Sequence, residues 1–210
     1  MSPHVGAFKV GHALTLANGL SVIDQLHDAG ANRVFLDLKF HDIPSSVALA
    51  VREAAKRGVW MLTVHITGGP AMMNAAVEQA RSYSEHERPL LVGVSVLTSL
   101  DEATLNGLMG VSRSLEDQMV SLSELAMQCD LDGVVCSAQE VGKIRMALGA
   151  RGILVTPGIR LAAGDTHDQK RVGEANDALA NGADYLVIGR ALTSAPDPVA
   201  ALAGLGLVSA

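Results

Sequence analysis

Seven short apolar segments recur along the chain, and they constrain its fold more than any other feature. They are nearly unbroken runs of Val, Ile and Leu, and they lie at 7–10, 34–39, 60–65, 90–97, 133–136, 153–156 and 185–188. Unbroken runs of this kind are typical of parallel strands that are buried on both faces. Helical patterns lie between them, at 46–56, 121–127, 138–147 and 174–180. The alternation predicts one α/β domain over residues 1–210.

The polar residues at the strand ends favour one of two α/β architectures. They gather at the carboxyl-terminal ends of nearly every predicted strand, at Lys9, Asp37, Lys39, His65, Thr98, Ser99, Thr156 and Arg190. In a doubly wound sheet only the strands beside the switch point carry ligands, whereas in a (β/α)8 barrel all strand ends face one mouth. We therefore expect a (β/α)8 TIM barrel, of which seven strands are countable, with the doubly wound sheet as the alternative.

Composition excludes several classes of function. The 210 residues carry a net charge of −6 and only 3% aromatic residues, so neither a basic face nor a stacking platform for nucleic acid is expected. Two cysteines exclude a disulfide scaffold, and no zinc-ligand spacing is present. The sequence has no membrane-spanning apolar run and no signal pattern. We expect a soluble, cytoplasmic protein without a nucleic-acid or membrane partner.

The second strand carries charged residues where a buried strand is normally apolar. Asp37 and Lys39 share a strand face, Asp42 follows three residues later, and Lys9 ends the preceding strand. Burying such ions costs several kcal/mol each, so we expect two carboxylates and two ammonium groups to pair with one another. A fixed ammonium can stabilise a carbanion and then protonate it, which suits decarboxylation without a metal or organic cofactor. The alternative is a purely structural ion pair.

Two later segments indicate a phosphate site. Residues 156–160 read Thr-Pro-Gly-Ile-Arg, and Gly189-Arg190 follows the last strand. Loops after the last strands of a barrel are a recurrent phosphate site, where glycine admits a dianion to backbone N–H groups and arginine binds two of its oxygens. The polar, glycine-containing segment 161–171 between them suits a lid that closes over the phosphate.

These motifs together resemble those of orotidine 5′-monophosphate decarboxylase. The resemblance runs from Phe8 to about Leu202 and rests on five motifs in the order of that family; they are 37–44 (DLKFHDIP), 97–99 (LTS), 156–160 (TPGIR), 168–169 (DQ) and 187–190 (VIGR). It implies a homodimeric (β/α)8 barrel that converts orotidine 5′-monophosphate to uridine 5′-monophosphate and CO2 in pyrimidine biosynthesis, without a cofactor or metal.

The resemblance also implies a role for each matching residue. Lys39 is the expected proton donor to C6 of the pyrimidine, Asp37 lies beside the scissile carboxylate, and Lys9 supports Asp37 and contacts the ribose. Asp42 reaches the site of the partner subunit. The expected substrate-binding residues are Thr98 and Ser99 for the pyrimidine, and Arg160, Gln169, Gly189 and Arg190 for the phosphate.

One departure from the family pattern concerns the N-terminus. The family has a strand with a Leu-Asp segment and a helix before the Phe-Lys-Val-Gly strand. Here only residues 1–6 precede the predicted strand that begins at Ala7 and contains this segment. We therefore expect lower stability and activity than in an N-terminally extended chain. Two alternative functions remain: a Mg²⁺-dependent sugar-phosphate lyase or decarboxylase of the same superfamily, which Lys9 argues against, and an inactive truncated barrel that binds nucleotide weakly.

Overall fold

The structure is a computed structural model that describes residues 1–160 and 173–205. The chain divides into two compact units. The first comprises Met1–Val94 and Leu125–Gly133, and the second comprises Ser95–Glu124 and Val134–Ala210. The expectation of a single domain stays a prediction.

Strands and helices alternate along the first unit. In chain order its elements are a 3-10 helix (Ser2–His4), β1 (Phe8–Gly11), α1 (His12–Asn18), α2 (Ser21–Asp28), β2 (Val34–Phe40), α3 (Pro44–Ala55), β3 (Met61–His65), a second 3-10 helix (Ile66–Gly68), α4 (Gly69–Arg81) and β4 (Leu90–Val94). The four strands are neighbours in chain order, and every pair is parallel. Each helical connection therefore returns the chain to the same end of the sheet.

The rest of the chain continues the alternation. Its elements are α5 (Glu102–Gly107), α6 (Leu115–Gln128), β5 (Gly133–Val135), α7 (Val141–Leu148), β6 (Ile153–Pro157), β7 (Ile159–Arg160), β8 (Gly173–Glu174), α8 (Ala175–Ala180), β9 (Tyr185–Val187), α9 (Arg190–Thr193) and α10 (Pro198–Ala203). In the second unit β6 pairs in parallel with β9, and β7 pairs in parallel with β8.

All seven predicted strands are present, as β1 to β6 and β9. The predicted strand at 90–97 ends earlier, at Val94, because its partner β3 ends at His65 opposite that residue. Helix α3 begins two residues before the predicted start, at Pro44, since proline fits the first turn of a helix. In the first unit, helices α1, α2 and α4 were not predicted from the sequence pattern.

Buried side chains of α4 and β3 contribute to the core of the first unit. Met72 and Met73 are fully buried on α4, and Met61 to Val64 are buried along β3. The two cysteines, Cys129 in the first unit and Cys136 in the second, are both buried, and neither forms a disulfide. Burial, together with the nearby charge of Asp130, raises the pKa of the Cys129 thiol.

Over the described parts of the chain, none of the helices combines the length and the apolar character needed to span a membrane.

Candidate active site

The carboxyl-terminal half of β2 departs from regular strand geometry. Its first three residues are buried, and exposure increases from Asp37 onward. Leu36 lies opposite Leu62 of β3, but the next aligned pair is Phe40 with Val64, so β2 takes four steps where β3 takes two. Extra residues on one strand of a pair form a β-bulge, which redirects side chains at sheet ends. Lys39, inside this bulge, has a left-handed φ of 51°.

Asp37 lies between two lysines. Its Oδ1 accepts a hydrogen bond from Nζ of Lys39 at 2.8 Å, and its Oδ2 is 3.2 Å from Nζ of Lys9. Lys9 reaches Asp37 from β1, where Gly11, two residues after Lys9, is aligned with Asp37. The structure thus brings together three of the four charged residues that the sequence predicts to pair.

The group carries one anion and two cations. The Asp37 side chain is only 14% exposed, while the lysines keep about a third of theirs exposed, at 34% for Lys9 and 30% for Lys39. At an effective dielectric of about 20 the Coulomb attraction at these distances is on the order of 5 kcal/mol for each contact, and the exposed part of each lysine reduces it. Since a lone buried carboxylate costs several kcal/mol, the two lysines together offset that cost.

The lysines also hold Asp37 in its ionised form. Burial by itself raises the pKa of this carboxyl, but the hydrogen bond and charge of Lys39, followed by those of Lys9, outweigh burial and leave the pKa below its usual range. Asp37 is therefore an anion at neutral pH.

Thr63 is a member of this group that the sequence analysis missed. Its side chain is buried on β3; its hydroxyl accepts a hydrogen bond from the backbone N–H of Lys39 at 2.8 Å and donates one to Oδ1 of Asp37 at 3.2 Å. A threonine in a buried strand is ordinary in sequence because β-branched residues favour strands. Only the position of Thr63 opposite the bulge in β2 reveals its contacts with Lys39 and Asp37.

Asp42 is the predicted residue that does not join the group. It is exposed, and its Oδ1 accepts a hydrogen bond from the backbone N–H of Ile43 at 2.6 Å, just before α3. Among the side chains that the structure describes, it forms no ion pair. The expectation of two carboxylates alternating with two lysines is therefore not met among the described side chains of one chain, where only Asp37 pairs with the lysines. Its predicted reach to a partner subunit stays a prediction.

Two histidines lie beside the charged group. The ring centroids of His41 and His65 are 5.0 Å apart. Burial, followed by the charges of His41 and Lys39, lowers the pKa of His65, while Asp37 opposes the shift. His65 is therefore neutral at pH 7 and can accept or donate a hydrogen bond at the end of β3.

The remaining predicted residues belong to the second unit. Thr98 is half-buried and Ser99 is exposed, in the turn that follows β4; Gly189 and Arg190 are exposed where α9 begins. Arg160 ends β7, and its backbone is aligned with Glu174 of β8. Gln169 lies outside the described residues, as does the whole of the predicted lid at 161–171.

The residue types at this site suit proton transfer. An ammonium next to a largely buried carboxylate supplies a proton donor held in place by an anion. Such an arrangement can stabilise negative charge that develops on a bound substrate. No group of three or more His, Cys, Asp or Glu side chains with metal-binding geometry occurs among the residues that the structure describes.

Solved structures of other proteins share this fold, and two of them illustrate the similarity. The crystal structure of Orotidine 5'-phosphate decarboxylase from Lactobacillus acidophilus has a TM-score of 0.82 and 34% identity, covering 94% of this chain and 84% of that chain. The crystal structure of an uncharacterized conserved protein from Geobacillus kaustophilus also has a TM-score of 0.82, with 37% identity, and covers 95% of this chain and 86% of that one. The fold class is the (β/α)8 TIM barrel, as predicted.

Sequence comparison identifies the family. The profile of the Orotidine 5'-phosphate decarboxylase / HUMPS family matches residues 1–205. Curated relatives named orotidine 5'-phosphate decarboxylase include one from Pseudoalteromonas translucida, 48% identical over 203 residues (97% of this chain, 86% of the relative), and one from Dichelobacter nodosus, 50% identical over 202 residues (96% and 86%). The chain belongs to this family, which confirms the resemblance seen in its motifs.

Proposed function

We propose that the chain is a carboxy-lyase that converts orotidine 5′-monophosphate to uridine 5′-monophosphate and CO2, in de novo pyrimidine biosynthesis in the cytoplasm. The observation that carries the proposal is the placement of Asp37 between Lys39 and Lys9, in a chain whose relatives are named for this activity. The two-cysteine composition, without a disulfide, supports the cytoplasmic location.

The proposed reaction uses the two charged residues of β2, Asp37 and Lys39. The bond between C6 of the pyrimidine and its carboxylate breaks, the electron pair stays on C6, and CO2 leaves. The ammonium of Lys39 stabilises this carbanion and transfers a proton to C6, after which solvent reprotonates the amine. Asp37, kept ionised by Lys9 and Lys39, repels the substrate carboxylate and holds the ammonium of Lys39 in place.

The rest of the proposed site binds the nucleotide and needs no cofactor. By residue-for-residue resemblance, Lys9 contacts the ribose and Asp42 enters the site of the partner in a homodimer. The proposed pyrimidine and phosphate ligands are Thr98, Ser99, Arg160, Gln169, Gly189 and Arg190.

The family description leaves a second candidate, a sugar-phosphate enzyme that uses Mg²⁺. The ammonium of Lys9, 3.2 Å from Asp37, opposes it because a positive charge occupies the place where a cation would need a ligand. An inactive barrel with weak nucleotide binding is the third candidate.

The direct test follows the loss of orotidine 5′-monophosphate absorbance. We expect turnover by the wild-type chain, and a fall of about 100- to 10,000-fold in kcat for Lys39→Ala, because a positioned acid contributes a factor of that size. Lys56→Ala is the matched control: it removes an exposed lysine of the same unit, paired with Glu53 at 2.9 Å, and keeps wild-type activity.

Three outcomes would overturn the proposal. Loss of activity in EDTA would favour the Mg²⁺-dependent enzyme, and full activity of Lys39→Ala would remove its assigned role. Binding of uridine 5′-monophosphate by calorimetry without any turnover would favour the inactive barrel.

A further inference from the structure

We infer that Thr63 is a positioning residue that sets the geometry of Lys39 and Asp37 for proton transfer, an inference that rests on the proposed function. Its proposed role requires no contact with C6 of the pyrimidine or with the Lys39 ammonium. It acts through the backbone N–H of Lys39 and the carboxylate of Asp37.

One hydroxyl makes both contacts. Oγ1 of Thr63 accepts from the Lys39 backbone N–H at 2.8 Å and donates to Oδ1 of Asp37 at 3.2 Å. The same Oδ1 accepts from Nζ of Lys39 at 2.8 Å. The three residues thus form a closed cycle of hydrogen bonds, in which the hydroxyl proton has a single orientation that serves both partners.

The backbone of Lys39 needs such support. Lys39 and Asp130 are the only residues other than glycine with positive φ in the described parts of the chain. A left-handed conformation is unfavourable for lysine, so it persists only where surrounding contacts enforce it. The bulge also removes the regular β2–β3 alignment at this point, and the Thr63 hydroxyl gives the Lys39 N–H a partner.

The carboxylate of Asp37 needs the same support for a different reason. Lys9 and Lys39 are long side chains that keep about a third of their surface exposed, whereas the Thr63 side chain is buried and fixed on β3. A β-branched side chain has few rotamers, so its hydroxyl defines one orientation of the carboxylate. Thr63 is therefore the rigid member of the group: it fixes the orientation of the Asp37 carboxylate, and the two lysines bind to the carboxylate in that orientation.

Thr63→Val tests this inference because valine keeps the shape and removes the hydroxyl. We expect kcat to fall about 10- to 100-fold, the range expected for losing hydrogen bonds to a charged group, while the Kd for uridine 5′-monophosphate changes by less than about twofold. Thr63→Ser restores the hydroxyl, and we expect it to recover most of kcat. Ser123→Ala is the matched control, since it removes another fully buried hydroxyl, one that donates to the Met119 carbonyl in α6, and keeps kcat.

A second measurement does not depend on the substrate. Thr63→Val should accelerate hydrogen exchange of the Lys39 amide, read by NMR, about 10-fold or more, whereas Ser123→Ala should leave it unchanged. Failure of the proposed function would appear as an inactive wild-type chain with this exchange effect intact. The inference itself is overturned if Thr63→Val keeps wild-type kcat or if Thr63→Ser is as impaired as Thr63→Val. It is also overturned if the Lys39 amide exchanges equally fast in the wild type and in Thr63→Val.

Discussion

Asp37 depends on its lysines in both its ionisation and its position. Each of its carboxylate oxygens faces one ammonium group, at 2.8 Å for Lys39 and at 3.2 Å for Lys9. Because these contacts exist only in the folded chain, the ionised carboxylate contributes to the free energy of unfolding. Residue-level chemistry and stability are therefore linked at this position.

The lowered pKa of Asp37 predicts a specific pH dependence of stability. An unfolded aspartate has a pKa of about 3.9. The folded pKa lies below its usual range, so the contribution of Asp37 is complete above that unfolded value and is lost as pH falls through the folded pKa. We expect the unfolding free energy of the wild type to fall more steeply below about pH 4 than that of Asp37→Asn.

Urea unfolding at a series of pH values measures both slopes. The other carboxylates are common to the two proteins, so the difference between the slopes isolates Asp37. Equal slopes would mean that Asp37 has the same pKa in the folded and unfolded chain.

At the scale of elements, two aspartates fix strand starts in the same way. Asp132, just before β5, accepts from the Leu91 N–H at 2.8 Å and from both terminal nitrogens of Arg88. Asp184, just before β9, accepts from the Leu154 N–H at 2.7 Å and from Arg145 at 2.6 Å. Each carboxylate thus satisfies a strand N–H and an arginine within its own unit.

Asp132→Ala should therefore destabilise the chain by about 1.5–3 kcal/mol, because it leaves a strand N–H and a guanidinium without their shared acceptor. Asp24→Ala is the matched control, since Asp24 also pairs with an arginine, Arg57, but at an exposed site. Such surface pairs contribute about 0–1 kcal/mol. Chemical denaturation gives both values; equal losses would contradict the assigned role of Asp132.

The order of elements was predictable because it depends on hydrophobic runs. The nearly unbroken run before Asp37 predicted β2, and the spacing of Val47, Val51 and Ala54 predicted α3. Helix α4 has an equally regular buried face, which includes Met72, Met73, Ala76 and Ala80, but its Gly-Pro start and small residues obscured it.

The details of the site were less predictable because they depend on register. Strand alternation placed Asp37 and Lys39 on one face, but the two-residue alternation of side chains along a strand does not reveal the bulge between Leu36 and Phe40. The left-handed φ of Lys39 was equally hidden, since sequence signals for that conformation are glycine and asparagine. The role of Thr63 follows from the bulge and was missed with it.

At the scale of the whole molecule, the proposed site is shared between subunits. In that arrangement a site takes Asp37 and Lys39 from one chain and Asp42 from its partner. Lys39→Ala and Asp42→Asn should each be inactive alone, yet a mixed dimer has one site with neither change. Random mixing by co-refolding should recover about a quarter of wild-type activity, since half of the dimers are mixed and each has one intact site.

A second mixture serves as the control for this experiment. Asp37→Asn and Lys39→Ala change residues of the same chain's site, so mixing them should restore no activity. No recovery in the first mixture, or equal recovery in both, would mean that Asp42 does not act across a subunit interface.

The two buried cysteines give each unit its own built-in reporter. Burial keeps thiols from alkylating reagents, and a raised pKa further slows Cys129. Modification then requires a transient opening of the surrounding structure. Because Cys129 belongs to one unit and Cys136 to the other, pulsed alkylation followed by peptide mass spectrometry can time the opening of each unit separately, without an introduced label.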